Sequence, residues 1–187
     1  MTAQIPDQFL YKNEQFVLIG LKGSNLFKPE EYGIYPVMAS TACHRGFVAT
    51  YVITNKQLIL NKLVLKSQEK KLAKINDKAP IEEKSVYSFN FTYYDVNLPI
   101  KFTGFILLGK DFINEMYVHM GFQRPISYET VIEFQFRDGE IIAVNDFSEL
   151  IAKLRKEDPT KGARPDNDEN TKEWIEQMFS LDYNMPW

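Results

Sequence analysis

The sequence has few of the side chains that carry out thiol and metal chemistry. It contains one cysteine and two histidines in 187 residues. A single cysteine cannot form an internal disulfide, and three nitrogen and sulfur ligands are too few for the tetrahedral site that structural zinc prefers. These counts predict a protein with no internal disulfide, no metal site and no cofactor.

The sequence also lacks a large excess of one charge and a long apolar run. Its formal net charge is −3, so no basic surface for nucleic acid is evident. The longest apolar runs, such as Phe105 to Leu108, are far shorter than the roughly 20 residues that a membrane helix needs. The first residues have neither the basic nor the apolar region of a secretory signal. We therefore predict a cytoplasmic protein that binds neither nucleic acid nor a membrane.

Alternating apolar and polar residues, which are typical of half-buried strands, are abundant. Two such stretches are each divided by residues that favour a tight turn, Asn55-Lys56 in the first and Asp138-Gly139 in the second. Both stretches are predicted to be β-hairpins, and counting outward from each turn gives the register. The predicted pairs include Ile53 with Leu58, Phe47 with Val64, Phe136 with Ile141, and Phe134 with Ala143.

Helical spacing occurs at three places. Apolar residues from Phe147 to Leu154 follow a helical period after the capping residue Asp146, which predicts a helix near residues 147–156. Residues 111–121 fit a short helix that ends at Gly121, which we favour over the alternative of a strand. A last helix is predicted within residues 171–187, where four apolar residues form a stripe that should dock on this chain or on a partner. The stripe consists of Trp174, Ile175, Met178 and Phe179.

The pattern as a whole predicts an α+β fold. We expect a mainly antiparallel, curved sheet of about six to eight strands, either open or barrel-like, with the 147–156 helix packed on it. Residues 1–157 should form a single domain. Residues 158–170 are rich in breakers and charges and are predicted to be a flexible linker to the appended C-terminal helix.

The stretch STACHRG, Ser40 to Gly46, places the only cysteine beside a histidine. If the strand of Phe47 extends backward without interruption, Cys43 faces the core and His44 faces the other side, because neighbouring residues on a strand point in opposite directions. We therefore predict that Cys43 is a small buried hydrophobic residue. The less favoured alternative is a nucleophile that uses the distant His119 as its base.

The functional hypotheses follow from two features: the chain has few candidate catalytic side chains, and it has many aromatic and hydroxyl side chains. The favoured hypothesis is a non-catalytic protein that binds another protein, for example an acidic inhibitor or immunity-type protein that covers a basic enzyme. The alternatives are a curved-sheet protein that holds a small ligand and a hydrolase or transferase that uses Cys43 and His119. The oligomeric state stays open. The candidate binding residues are Thr41, Arg45, Tyr93, Tyr94, Thr103 and His119.

Overall fold

The computed structural model describes residues 2–24, 26–83, 88–157 and 171–183. Within them, ten strands belong to one sheet, and two α-helices and three short 3-10 turns accompany it. The strands are β1 Gln8–Tyr11, β2 Glu14–Gly23, β3 Phe47–Thr54, β4 Gln57–Leu65, β5 Ile81–Glu82, β6 Phe91–Tyr93, β7 Leu98–Pro99, β8 Gly104–Phe112, β9 Tyr128–Arg137 and β10 Glu140–Asp146. The helices are α1 Ser148–Glu157 and α2 Thr171–Met178, and the 3-10 turns are Pro29–Tyr32, Asn114–Met116 and Pro125–Ser127.

The sheet is mostly antiparallel, as predicted. Its strand order is β10-β9-β8-β2-β1-β3-β4-β6-β5, with β7 also on β4, and the parallel pair in it is β1 with β3. Strand β10 pairs with β9 and also touches β4, where Glu140 lies opposite Gln57, so the sheet must curve back on itself. The sheet has more strands than predicted because β5 and β7 are two residues long, too short to show any period.

Both predicted hairpins form, and each contains a bulge that the sequence did not reveal. The turn residues Asn55, Lys56, Asp138 and Gly139 all have positive φ, and the pairs nearest the turns are as predicted. Farther out, Phe47 pairs with Leu65 and Phe134 pairs with Val144, so the predicted partners Val64 and Ala143 are wrong. A bulge inserts one extra residue into one strand and shifts the register beyond it.

The first predicted helix is confirmed as α1. Asp146, the last residue of β10, accepts hydrogen bonds at Oδ1 from the N–H of Ser148 at 2.9 Å and from its hydroxyl at 2.6 Å. Ile151 is buried with Leu107 and Val131 of the sheet. This small second core holds α1 against β9.

The predicted helix at residues 111–121 is wrong. Strand β8 continues to Phe112, whose ring packs edge-on against Tyr128 with centroids 5.3 Å apart. The 3-10 turn Asn114–Met116 is the helical structure there. Phe112 pairs with Tyr128 at the end of the β8–β9 ladder. This strand pairing outweighs the helical spacing of the apolar residues that begins there.

The C-terminal segment docks on this chain. The N–H of Leu21 in β2 donates to the carbonyl of Leu181 at 2.8 Å, and the N–H of Phe122 donates to the carbonyl of Met178 at 2.7 Å. Met178 and Tyr183 are buried. The predicted linker at 158–170, the side chain of Trp174 and residues 184–187 lie outside the described residues.

The main core collects side chains from most of the sheet. Its largest fully buried members include Tyr51, Tyr93, Phe102, Phe134 and Phe136. Tyr94, the residue after β6, is exposed, whereas all three residues of β6 are buried. Among the described residues, no helix is both long and apolar enough to cross a membrane.

Candidate functional site

The STACHRG stretch is a turn in the loop that leads into β3. The N–H of Val37 donates to the carbonyl of Lys66, and the N–H of Lys66 donates to the carbonyl of Gly46, both at 2.9 Å. Lys66 therefore holds both limbs of the loop. Gly46 has a φ of 76°, and a side chain there would meet the backbone of Val37. The strand of Phe47 therefore does not extend back to Cys43, because this left-handed residue turns the chain just before β3.

Cys43 is nevertheless buried, as predicted, with 2% of its surface exposed. Its Sγ donates a hydrogen bond to the carbonyl of Phe47 at 3.3 Å. Burial raises the pKa of the Cys43 thiol, and the nearby Arg45 charge only partly opposes this. Among the described residues, no hydrogen bond joins Cys43 to His44 or His119. A neutral, buried thiol that already donates to a carbonyl is a poor nucleophile.

We expect native Cys43 to be nearly inert toward a thiol reagent such as Ellman's reagent, and to react fully once the chain is unfolded in denaturant. The matched control is a Thr41→Cys, Cys43→Ala variant, because residue 41 is exposed in the same loop. This variant should react at the rate of a free thiol without denaturant. Equal native rates for the two proteins would contradict the burial of Cys43.

Arg45 forms a bidentate ion pair with Asp7, which is 4% exposed. Nη1 of Arg45 lies 2.9 Å from Oδ2 of Asp7, Nη2 bonds Oδ1, and Nε donates to the carbonyl of Phe47 at 2.9 Å. Oδ1 of Asp7 also accepts from the N–H of Ala49 in β3, at 2.7 Å. Burial lowers the pKa of Arg45, but the Asp7 carboxylate outweighs it and the net shift is upward. The pair is charged and ties the N-terminal segment to the start of β3.

Two cavities lie beside this ion pair, and Arg45 lines both. The first has a volume of about 280 Å³ and is lined by the ion pair, by Tyr51 and by apolar side chains. The second, of about 310 Å³, is lined by Cys43 and His44 together with side chains from three other segments. Those side chains are Gln4, Ile5, Phe122 and Phe179. The N-terminal segment, the loop before β3 and the C-terminal segment therefore meet around Arg45.

The other predicted binding residues are divided among three places. Thr41 lies near the His119 segment, since Gln4 donates both to the carbonyl of Thr41 at 3.0 Å and to that of Gly121 at 2.8 Å. His119 itself is exposed, and its Nδ1 lies 3.2 Å from the hydroxyl of Tyr117.

The predicted residues Tyr93 at the end of β6, Tyr94 just after it and Thr103 just before β8 bond elsewhere. Tyr93 is buried and donates to the carbonyl of Ala73 at 2.6 Å, and exposed Tyr94 donates to Glu83 at 2.7 Å. Thr103 accepts at its hydroxyl from the N–H of Asp138 at 2.9 Å, beside the turn between β9 and β10. Of the predicted binding residues, Arg45 is the one that lines the two cavities.

Sequence reasoning missed the exposed apolar side chains on the same loop. Tyr35 is 59% exposed and Met38 is 55% exposed, and Thr41 and His44, farther along the loop, are also exposed. We call these four side chains the Tyr35–His44 surface. Their spacing of three residues was the available signal, but an isolated tyrosine or methionine in a loop does not reveal from sequence whether it is buried.

Asp7 and Tyr51 were also missed, and no local pattern marks either. Asp7 bonds a residue 38 positions later in the chain. Tyr51 occupies a core-facing position in the alternating pattern of β3, like any ordinary core residue. Within the parts of the chain that the structure describes, no cluster of three or more potential metal ligands is found. Comparison of the chain with family models, with curated proteins and with solved structures finds no match.

Proposed function

We propose that this protein is a non-catalytic binding protein, and that it contacts a partner protein through the Tyr35–His44 surface. The observation that carries the proposal is the exposure of Tyr35 and Met38, each more than half exposed, on a loop whose base is fixed. Lys66 bonds both limbs of the loop, and Asp7 holds Arg45 at its end. A preformed loop loses little conformational entropy on binding, and tyrosine and methionine are enriched in protein interfaces.

The side chains that could act in catalysis support a binding role instead, because each already contacts another group of this chain. Cys43 donates to a backbone carbonyl, Arg45 is held by Asp7, and His119 contacts Tyr117. A nucleophile and base would need to lie within hydrogen-bond reach of one another. These internal bonds disfavour the hydrolase or transferase hypothesis.

The partner that fits best has an apolar pocket for Tyr35 and a basic rim. Glu30 and Glu31 are both exposed on the 3-10 turn Pro29–Tyr32, immediately before the loop. Together with the overall charge of −3, they favour a positively charged partner, since opposite charges speed association and exclude wrong partners. An inhibitor of a basic enzyme in the cytoplasm is one form of this proposal.

The test is affinity capture at physiological salt, followed by quantitative binding of the captured partner. We expect a Tyr35→Ala, Met38→Ala variant to bind at least about tenfold more weakly than the wild type, because central apolar anchors dominate interface energies. Thermal unfolding should not change, because both side chains are exposed.

The matched control is Ile142→Ala, Val144→Ala. Both residues are 45% exposed, but they lie on β10 and not on the loop. Their replacement should leave binding unchanged. The proposal fails if the wild type retains no partner, or if the loop variant binds its partner as tightly as the control.

A further inference from the structure

The cavity of about 280 Å³ beside Asp7 and Arg45 has the composition of a small-molecule site. Apart from the charged groups, its walls are apolar and come from β2, from β3, from the loop after β2 and from the C-terminal segment. These side chains are Leu18, Leu21, Leu26, Phe27, Phe47 and Leu181. Pockets for small molecules are mostly apolar, with a few placed polar groups, and start at about 300 Å³.

Tyr51 supplies an unused polar group in this wall. The residue is 1% exposed, and its ring stacks on Phe9 with centroids 5.0 Å apart. Pairing of β3 with β1 and β4 fixes its position. Its hydroxyl makes no hydrogen bond to any described residue, and neither does that of the buried Tyr128, whereas the buried Tyr93 and Tyr183 both donate to oxygen atoms. Tyr51 lines the cavity, so this hydroxyl is available to donate a hydrogen bond to a molecule bound there.

We propose that this cavity binds a small, uncharged, mostly apolar molecule with one hydrogen-bond-accepting oxygen, and that the Tyr51 hydroxyl donates to that oxygen. The proposal goes beyond protein binding because it uses none of the side chains of the Tyr35–His44 surface. It also differs from the ligand site predicted from sequence, with which it shares Arg45.

The electrostatics of the cavity favour an uncharged acceptor. Burial and the nearby Asp7 carboxylate raise the pKa of Tyr51 well above its ordinary value, so the group stays a neutral O–H donor. The charge of Arg45 is already balanced by Asp7. Lys28 and Glu30, which also line the cavity, carry opposite charges. A ligand charge of either sign would meet both positive and negative groups there, so it would gain little net attraction for the hydration that it loses.

The experiment uses three naphthalene probes of nearly equal shape and follows their fluorescence on titration with the full chain. They are 2-acetylnaphthalene, which carries a carbonyl acceptor, 2-ethylnaphthalene, which has none, and 2-naphthoate, which is charged. We expect the wild type to bind the acetyl probe at least about tenfold more tightly than the other two, the value of roughly one buried hydrogen bond. In Tyr51→Phe the acetyl probe should lose that advantage, while binding of the ethyl probe should not change.

Two further variants make the result decisive. Leu21→Trp should fill the cavity and abolish binding of all three probes, which locates the site even if Tyr51→Phe folds poorly. The Tyr35→Ala, Met38→Ala variant should bind the acetyl probe like the wild type, so failure of one proposal does not imply failure of the other. The inference is overturned if the wild type binds no probe, if it binds the acetyl and ethyl probes equally, or if Leu21→Trp has no effect.

Discussion

Replacing Arg45 with methionine is expected to lower the free energy of unfolding by about 1–3 kcal/mol, less than for a fully buried ion pair because the Arg45 side chain is 35% exposed. The change removes both guanidinium hydrogen bonds from the Asp7 carboxylate, which is 4% exposed. The N–H of Ala49, at 2.7 Å, would then be the remaining donor to that carboxylate. Methionine retains an apolar stem for packing on the Phe47 ring, so most of the loss should come from the uncompensated buried charge.

Urea unfolding of a small set of variants separates this effect from a general loss of packing. Adding Asp7→Asn to Arg45→Met should recover part of the stability, because the double variant no longer buries a charge. The control is Lys110→Met, which breaks a 2.9 Å ion pair with the exposed Glu14 and should cost much less than Arg45→Met, because solvent screens an exposed pair. If Arg45→Met costs no more than Lys110→Met, the Asp7 ion pair does not anchor the loop.

The local parts of the fold were predictable because their signals are local. A turn dipeptide and its flanking alternation define each hairpin, and a cap followed by helical spacing defines α1. The bulges in both hairpins were not predictable, since one extra residue in a strand leaves the apolar alternation almost intact. The parallel pairing of β1 with β3 joins segments about forty residues apart, and nothing in either sequence specifies that partner.

The candidate site likewise has one part that was predictable from the sequence and another that was not. Alternation placed Cys43 in the core, and it is buried, but through a turn at Gly46 that strand reasoning did not include. The ion pair and the cavity depend on Asp7 and Tyr51, which come together only when β1, β3 and the C-terminal segment pack. Long-range packing decides which polar side chains become buried, so a single sequence does not reveal them.

Replacing Tyr183, in the C-terminal segment, is also expected to lower the stability strongly. The Tyr183 hydroxyl donates to Oε2 of the buried Glu133 at 2.7 Å, and Oε1 of Glu133 accepts from Asn145 at 3.3 Å. The ring lies so close to Gly20 that a Cβ there would be 2.5 Å from Cδ1 of Tyr183. Lys22 places its Nζ 4.5 Å from the ring centroid. Tyr183 therefore ties the segment to both β2 and β9, in addition to the backbone hydrogen bond between Leu21 and Leu181.

Tyr183→Ala is expected to cost about 3–5 kcal/mol, the usual range for deleting a buried aromatic side chain, and to free residues 179–183 for proteolysis. Tyr183→Phe keeps the ring and should cost about 1–3 kcal/mol, because the buried Glu133 loses its strongest donor. Tyr94→Phe is the matched control, since it removes an exposed hydroxyl that bonds Glu83 at the same 2.7 Å and should change stability much less than Tyr183→Phe does. Urea unfolding gives all three values. Equal losses for the two Tyr→Phe variants would show that burial of Glu133 does not strengthen the attachment of the C-terminal segment.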